Sequence, residues 1–182
     1  RDFCLSRGLG DVYKRQVKGY AYPISNPNVM EAHIFQLKKD IPAELGGGVM
    51  WLSIGSPRNA PYLPHLGNIS KTYEAYQEKS TKYNDKSWYW TVSHINDLVA
   101  AHPKQFGTKV IDEIKELEKT WITEQDQTNK ELSQLVQTDP TAAQEKADAV
   151  SMARAEKTFK RLKAIEAKLV KESPKNQKAS QK

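Results

Sequence analysis

The amino-acid sequence predicts an α+β fold, in which a pair of strands is followed by about three helices. Residues 31–54 hold two short apolar segments separated by a glycine-rich connector, a pattern typical of paired strands. From about residue 85, apolar residues recur at the three- and four-residue spacing of amphipathic helices. Since a two-stranded hairpin is marginal unless it packs on something else, this combination also indicates a fragment of a larger domain.

The two predicted strands comprise residues 31–39 and residues 49–54. In the first segment, apolar or aromatic residues occupy both sides of the alternating pattern, which predicts a largely buried strand. The second segment is short and apolar, as expected of a core strand. The connector between them contains three consecutive glycines, and the strands could pair antiparallel across it. Residues 55–68 contain three prolines and are predicted to form a loop of defined shape.

Three apolar stripes predict the three helices. The first helix is expected to begin at Asp85 as its N-cap, and Pro103 either ends it or starts the second. Residues 125–131 are polar on all sides, which indicates a protruding or partly exposed helix. Asp139-Pro140 is a favourable helix start, with a cap residue followed by proline in the first turn. The stripes consist of Trp88, Val92, Ile95, Leu98 and Val99; of Val110, Ile111, Ile114, Leu117 and Trp121; and of Phe159, Leu162, Ile165 and Leu169.

The two ends of the chain are set apart from a predicted domain of residues 17–172. Residues 1–16 have no strand or helix period, and residues 6–16 resemble the in-frame translation of a transposon sequencing adapter. We therefore predict that residues 1–16 are a non-native segment, the alternative being a natural basic arm. Residues 173–182 are polar and basic without an apolar period, which predicts a disordered tail.

The composition narrows the classes of protein to which the chain can belong. Its single cysteine, Cys4, excludes an internal disulfide framework and indicates a reducing, cytoplasmic location. No apolar run approaches the roughly 20 residues of a membrane span, so no membrane association is expected. Of the formal net charge of +6, +2 lies in residues 1–16 and +3 in residues 171–182, so the body between them carries +1. This near neutrality argues against nucleic acid as a partner.

Five short segments between residues 23 and 90 carry a resemblance to a known family. Together they resemble the C-terminal part of the bacterial dipeptidases of the N-terminal-nucleophile hydrolase superfamily, the type represented by dipeptidase A of lactic acid bacteria. No single motif would suffice, but the layout agrees from residue 17 to about residue 135. The segments are Pro23-Ile24, Ala32–Leu37, Val49–Gly55, Tyr62–Pro64 and Ser87–Trp90.

The resemblance implies an αββα sandwich as the parent fold, of which this chain is a C-terminal fragment. It also implies hydrolysis of dipeptides by an N-terminal cysteine whose own α-amino group acts as the general base. A free α-amino group has a pKa of about 7.7–8.0, so a useful fraction is neutral near pH 7. Cys4 does not fit this role, because its nitrogen belongs to a peptide bond and it adjoins the adapter-like segment. The nucleophilic cysteine is therefore expected to be absent, and the chain alone inactive.

Three residues are candidates for auxiliary contacts with a dipeptide. His33 could orient the substrate or stabilise an oxyanion, although a strand histidine satisfied by its neighbours explains it as well. Arg58 and Asn59 follow a core strand, where binding residues are common. Arg58 could bind the dipeptide carboxylate in a bidentate pair, or it could be a solvated loop residue. His65 is expected to be an exposed loop histidine.

Two functions from different classes remain open on the sequence alone. The first is a fragment of a cysteine-type dipeptidase, with dipeptides as substrates and with homo-oligomerisation of the parent left open. No cofactor or metal is predicted for it, because the four histidines lack ligand spacing and no phosphate-binding glycine loop is present. The alternative is a non-enzymatic helical interaction module with a basic tail that binds a protein partner or RNA in a salt-sensitive manner.

Overall fold

The computed structural model describes residues 25–26 and 28–173 and gives them an α+β fold. Residues 1–24, including Cys4 and the adapter-like segment, and residues 174–182 lie outside the described residues, so the predictions made for them stay predictions. The elements are β1 (Glu31–Leu37), β2 (Gly48–Ile54), β3 (Leu63–Leu66), α1 (Glu74–Gln77), α2 (Trp88–Ala101), α3 (Pro103–Thr138) and α4 (Pro140–Glu172), with a 3-10 turn over Ala43–Leu45.

The three strands form an antiparallel sheet in the order β1-β2-β3. The predicted pairing of the first two strands is confirmed, with Ile34 opposite Trp51. The prediction that residues 55–68 form only a loop is wrong, because β3 lies within them. Pro64 of β3 is paired with Trp51 and is tolerated there because β3 is an edge strand, where a missing backbone N–H need not break a ladder.

The prediction that β1 is largely buried is wrong. Phe35 is 63% exposed and Leu37 is 82% exposed, while Ile34, which points to the other face, is 55% exposed. β1 is the outermost strand of the sheet, and β2 is its only pairing partner among the described residues. The apolar pattern of β1 is that of a strand covered on both faces, but the described residues do not supply the cover.

The predicted apolar stripes pack the three long helices against each other and against the sheet. α2 begins after Ser87, whose hydroxyl accepts a hydrogen bond from the Trp90 amide, so the prediction that Asp85 is the cap is wrong. Pro103 begins α3, and Asp139 caps α4 by accepting a hydrogen bond from the Ala142 amide at 2.9 Å. None of the described helices is long and apolar enough to cross a membrane.

The polar residues 125–131 are part of α3, which continues through them without a break. Of the two predicted alternatives, a protruding or a partly exposed helix, the second is confirmed: Gln125 and Asn129 are buried, whereas Asp126, Gln127 and Lys130 are exposed. The Arg154 guanidinium of α4 donates to Gln125 Oε1 at 2.6 Å and to Thr128 Oγ1 at 2.9 Å. A hydrogen-bonded network therefore joins the two helices where the sequence offers no apolar seam.

A second polar cluster joins α4 to α2 and to the loop before α2. Glu166 is buried and accepts hydrogen bonds from His94 Nδ1 at 2.8 Å, from the Tyr83 hydroxyl at 2.8 Å and from Lys163 Nζ. Burial by itself would raise the pKa of the Glu166 carboxyl, but these three donors hold it below its usual value. The Glu166 carboxylate thus links α4 to α2 and to the loop before α2 through these three hydrogen bonds.

Candidate functional site

The loop that follows β2 begins with a turn that only glycine fits. Gly55 has a φ of 95°, and a Cβ atom added there would lie 2.6 Å from Cγ1 of Val92 on α2. The Gly55 amide donates to the Met30 carbonyl at 2.7 Å, which ties the end of β2 to the start of β1. The backbone that carries the two predicted loop residues is therefore held between the sheet and α2.

Arg58 is presented to solvent by hydroxyl contacts that hold its backbone. Its amide donates to Ser25 Oγ at 2.9 Å, and Ser25 Oγ lies 2.9 Å from Ser56 Oγ. The Arg58 side chain is exposed, and no ion pair is recorded for it within the described residues. The guanidinium therefore keeps its five donors available for an anionic ligand.

Asn59 is oriented in the opposite way, with only 4% of its surface exposed. Its Nδ2 donates to Oδ1 of Asn96 on α2 at 2.7 Å, and its Oδ1 is buried without a hydrogen-bond partner among the described residues. Asn96 was not a sequence candidate, because a lone asparagine on a helix carries no signal until its partner is known. The pair leaves one unsatisfied carbonyl oxygen beside the loop.

His33 is not brought together with the two loop residues. It lies in the middle of β1 opposite Leu52, with its side chain 46% exposed and Nδ1 3.8 Å from Glu31 Oε1. Within the described residues, His33 forms no hydrogen bond or ion pair with Arg58 or Asn59. The structure therefore groups Arg58 and Asn59 in one loop and leaves His33 on the open strand.

The prediction that His65 is an exposed loop histidine is wrong. It belongs to β3, is 6% exposed, and its Nδ1 lies 2.8 Å from Ser151 Oγ of α4. Burial, and secondarily the charge of Arg154, lowers the pKa of His65 to about 4, so the ring is neutral near pH 7. Its Nε2 is buried without a partner among the described residues. This histidine is a structural group that a substrate cannot reach.

A cleft of about 490 Å³ lies between the β1–β2 pair and α3. Ile34, Trp51 and Ile122 contribute its apolar walls, and Glu118 is a charged group at its edge. Glu118 Oε1 accepts a hydrogen bond from the Tyr62 amide at 3.0 Å, and burial raises the pKa of the Glu118 carboxyl. No group of three or more metal-ligating side chains converges anywhere in residues 25–26 and 28–173.

A comparison with known protein families identifies the family of this chain. The sequence matches Peptidase family C69 over residues 9–116, which is more than half of the chain. The chain belongs to this family. The resemblance drawn from residues 23–90 is thereby confirmed, and the family membership favours the peptidase hypothesis over the helical interaction module.

Individual relatives agree with this assignment. The chain is 87% identical over 165 residues to a probable dipeptidase B of Streptococcus pyogenes serotype M6. The match covers 91% of this chain and 33% of the relative. It is 31% identical over 109 residues to a probable dipeptidase of Latilactobacillus sakei, covering 60% of this chain and 23% of the relative. It is 34% identical over 91 residues to dipeptidase A of Lactobacillus helveticus, and the match covers 50% of this chain and 18% of the relative. The chain thus spans about a third of the length of the Streptococcus pyogenes relative.

Proposed function

We propose that this chain is the C-terminal third of a cytoplasmic, cysteine-type dipeptidase of the N-terminal-nucleophile class. The observation that carries the proposal is the family match over residues 9–116, together with relatives that bear the name dipeptidase. The α+β arrangement of the described residues is compatible with one part of an αββα sandwich. In this proposal residues 17–172 form the domain, and the nucleophilic cysteine lies on the polypeptide that this chain lacks.

The chemistry of such an enzyme needs two groups at one place. The thiolate attacks the peptide carbonyl, and the free α-amino group of the same cysteine takes the thiol proton and returns it to the leaving amine. An acyl-enzyme forms and is then hydrolysed by water. None of these steps requires a residue of the described part of this chain, so its contribution is to hold the substrate.

Arg58 and Asn59 are suited to that auxiliary task. Arg58 presents an exposed guanidinium on a fixed backbone, which matches the carboxylate of a dipeptide in a bidentate pair. Asn59 is buried, so its auxiliary role in this proposal is to hold the loop against Asn96 of α2 rather than to touch the substrate. His33, exposed on β1, is a further auxiliary contact in this proposal. A dipeptide carries a free carboxylate, which is the group that the Arg58 guanidinium would bind.

A chimera tests the proposal. This chain would replace the matching third of the Streptococcus pyogenes serotype M6 relative, and hydrolysis of dipeptides would be followed by release of amino acids. We expect turnover by the chimera, its loss after thiol alkylation, and no turnover by the chain alone. Dipeptide hydrolysis by the isolated chain, or activity insensitive to alkylation, would contradict the proposal.

The role of Arg58 is tested within the same chimera. Arg58→Ala should lower kcat/KM for free dipeptides about ten- to a hundredfold, because a charged hydrogen-bonded pair is lost. Dipeptide amides, which lack the carboxylate, serve as control substrates and should lose nothing further. Arg161→Ala, at an arginine of α4 that pairs with Glu113, is the matched control variant. Equal losses on free and amidated dipeptides would refute the carboxylate contact.

A further inference from the structure

The large apolar side chains that are exposed to solvent are concentrated in one region. Six such residues occur among the described residues, and five of them lie on or next to β1 or line the adjoining cleft. Soluble proteins rarely leave so many large apolar groups together in water, so this concentration indicates a surface that is covered in the complete protein. The five residues are Met30 (67%), Ile34 (55%), Phe35 (63%), Leu37 (82%) and Ile122 (61%).

The outer edge of β1 carries backbone groups that have no ladder partner. The Lys38 amide donates to the Gly47 carbonyl at 3.2 Å and the Gly55 amide donates to the Met30 carbonyl at 2.7 Å, so even-numbered residues turn their backbone groups toward β2. By the alternation of an antiparallel ladder, those of His33, Phe35 and Leu37 point away from it. No described strand lies on that side.

Apart from Glu31 at its first position, β1 lacks the devices by which proteins protect a permanent edge strand. Residues 32–37 contain no lysine, proline or glycine, and β1 pairs with β2 in continuous register without a bulge. A free, apolar and regular edge is a template for pairing with another chain. The strand is therefore built as an interior strand of a wider sheet.

The cleft extends this surface from the edge to one face of the sheet. Ile34 and Trp51 are paired across β1 and β2 and share that face, and Ile122 of α3 closes the other wall. A strand added beside β1 would send alternate side chains to the two faces. One set would cover the cleft beside Ile34, and the other would pack against Phe35 and Leu37.

We propose that the β1 edge and the adjoining cleft form an interface that accepts a β-strand from the two thirds of the family protein that this chain does not contain. The chain spans 33% of its Streptococcus pyogenes relative, so most of the polypeptide is available to provide it. This inference rests on the family membership and on the fragment reading, but not on the cysteine chemistry. Backbone pairing would supply affinity, and the apolar side chains on both faces would set the register.

A binding experiment tests the interface directly. The part of the Streptococcus pyogenes serotype M6 relative outside the matched residues would be produced together with this chain, and their affinity measured after co-purification. We expect a one-to-one complex whose Kd rises about tenfold or more with Phe35→Lys, which places a charge against the added strand. Phe35→Pro should have the same effect because it removes an outward N–H. Ala100→Lys, at an exposed position of α2, is the matched control and should leave the Kd unchanged.

A second measurement decides the matter if the separate pieces fail to fold. In the full-length chimera, Phe35→Lys should lower Tm by several degrees, whereas in the isolated chain it should not, because Phe35 is already exposed there. Ala100→Lys should lower neither. This pattern separates an interface residue from one that stabilises the chain itself, and it does not depend on catalytic activity.

Three outcomes would overturn the proposal. Phe35→Lys could leave both the complex and the Tm of the chimera unchanged, which would show that the edge is free in the whole protein. The isolated chain could form a dimer that Phe35→Lys dissociates without affecting the complex, which would make the surface a contact between two copies. Equal destabilisation of chain and chimera would assign Phe35 to the fold of the chain. A chimera that shows the expected Tm pattern but hydrolyses no dipeptide would refute the proposed function and leave the interface standing.

Discussion

The buried histidine of β3 should make the stability of this chain depend on pH in a defined window. His65 Nδ1 contacts Ser151 Oγ and the ring is near the charge of Arg154, with the centroid of the Tyr76 ring 6.5 Å away; none of these groups carries a negative charge that would stabilise a protonated ring. Burial and the Arg154 charge lower the pKa of His65 from 6.5 to about 4. In the unfolded chain the same ring is solvated and titrates near its ordinary value.

The direction and size of the effect follow from these two values. Between about pH 6.5 and pH 4 the unfolded chain binds a proton at this histidine and the folded chain does not, so the free energy of unfolding falls as the pH falls. Above pH 6.5 neither state is protonated and the contribution is constant. A difference of about 2.5 pKa units corresponds to about 3 kcal/mol, most of which is lost by pH 4 and the rest just below it.

Urea denaturation at several pH values between 7.5 and 4 measures this loss. Other groups also titrate in the range, so the informative quantity is the difference in unfolding free energy between the original chain and His65→Gln. The free energy of unfolding of the original chain, taken relative to that of His65→Gln, should fall by about 3 kcal/mol between pH 7 and pH 4. If His65→Gln runs parallel to the original chain over this pH range, His65 is not buried as neutral imidazole and the reasoning is refuted.

Two further changes test how the loop and the helices are fastened. Gly55→Ala should lower the free energy of unfolding, measured in urea, by about 2–4 kcal/mol, because the added Cβ clashes with Val92 and alanine is strained in the left-handed conformation. Gly47→Ala is the control, since it adds the same strain but no atom lies within 4 Å of its Cβ. Equal costs for the two variants would show that the loop moves away from α2. Glu166→Ala should lower the free energy of unfolding by about 3 kcal/mol, because three donors lose their buried acceptor. Glu156→Ala, which removes an exposed ion pair with Lys160, should change the thermal melt little. Similar melts for both variants would refute the proposed role of Glu166 in joining the helices.

The helices of this protein could be predicted closely because their signals are local. Val92, Ile95 and Val99 repeat at helical spacing and all three are buried. Asp139 caps α4 as expected, since a cap depends on residues only three positions apart. The first strand pair was likewise recognisable from two apolar runs and a glycine-rich connector. Local contacts were therefore mostly predictable, although the cap of α2 is Ser87 and not Asp85.

The candidate site could be predicted only in part for the opposite reason. Arg58 and Asn59 were proposed because the loop after a core strand is a frequent place for binding residues, and their role stays a prediction. Asn96, which holds Asn59, is 37 positions away and gives no signal of its own. The burial of His65 depends on Ser151, 86 positions along the chain. Such pairs become visible only when the helices have packed against the sheet.

The sequence by itself determined the α+β class, the positions of the long helices, the pairing of the first two strands and, through a few short segments, the family. These depend on periodicity and on local turn chemistry, which a single chain carries in full. Only the tertiary structure decided that Gln125 of α3 is buried and bonded to Arg154, that a proline-containing strand forms one edge of the sheet, and that β1 forms the other. Burial is a property of what packs against a residue, and for β1 the described residues contain no such partner.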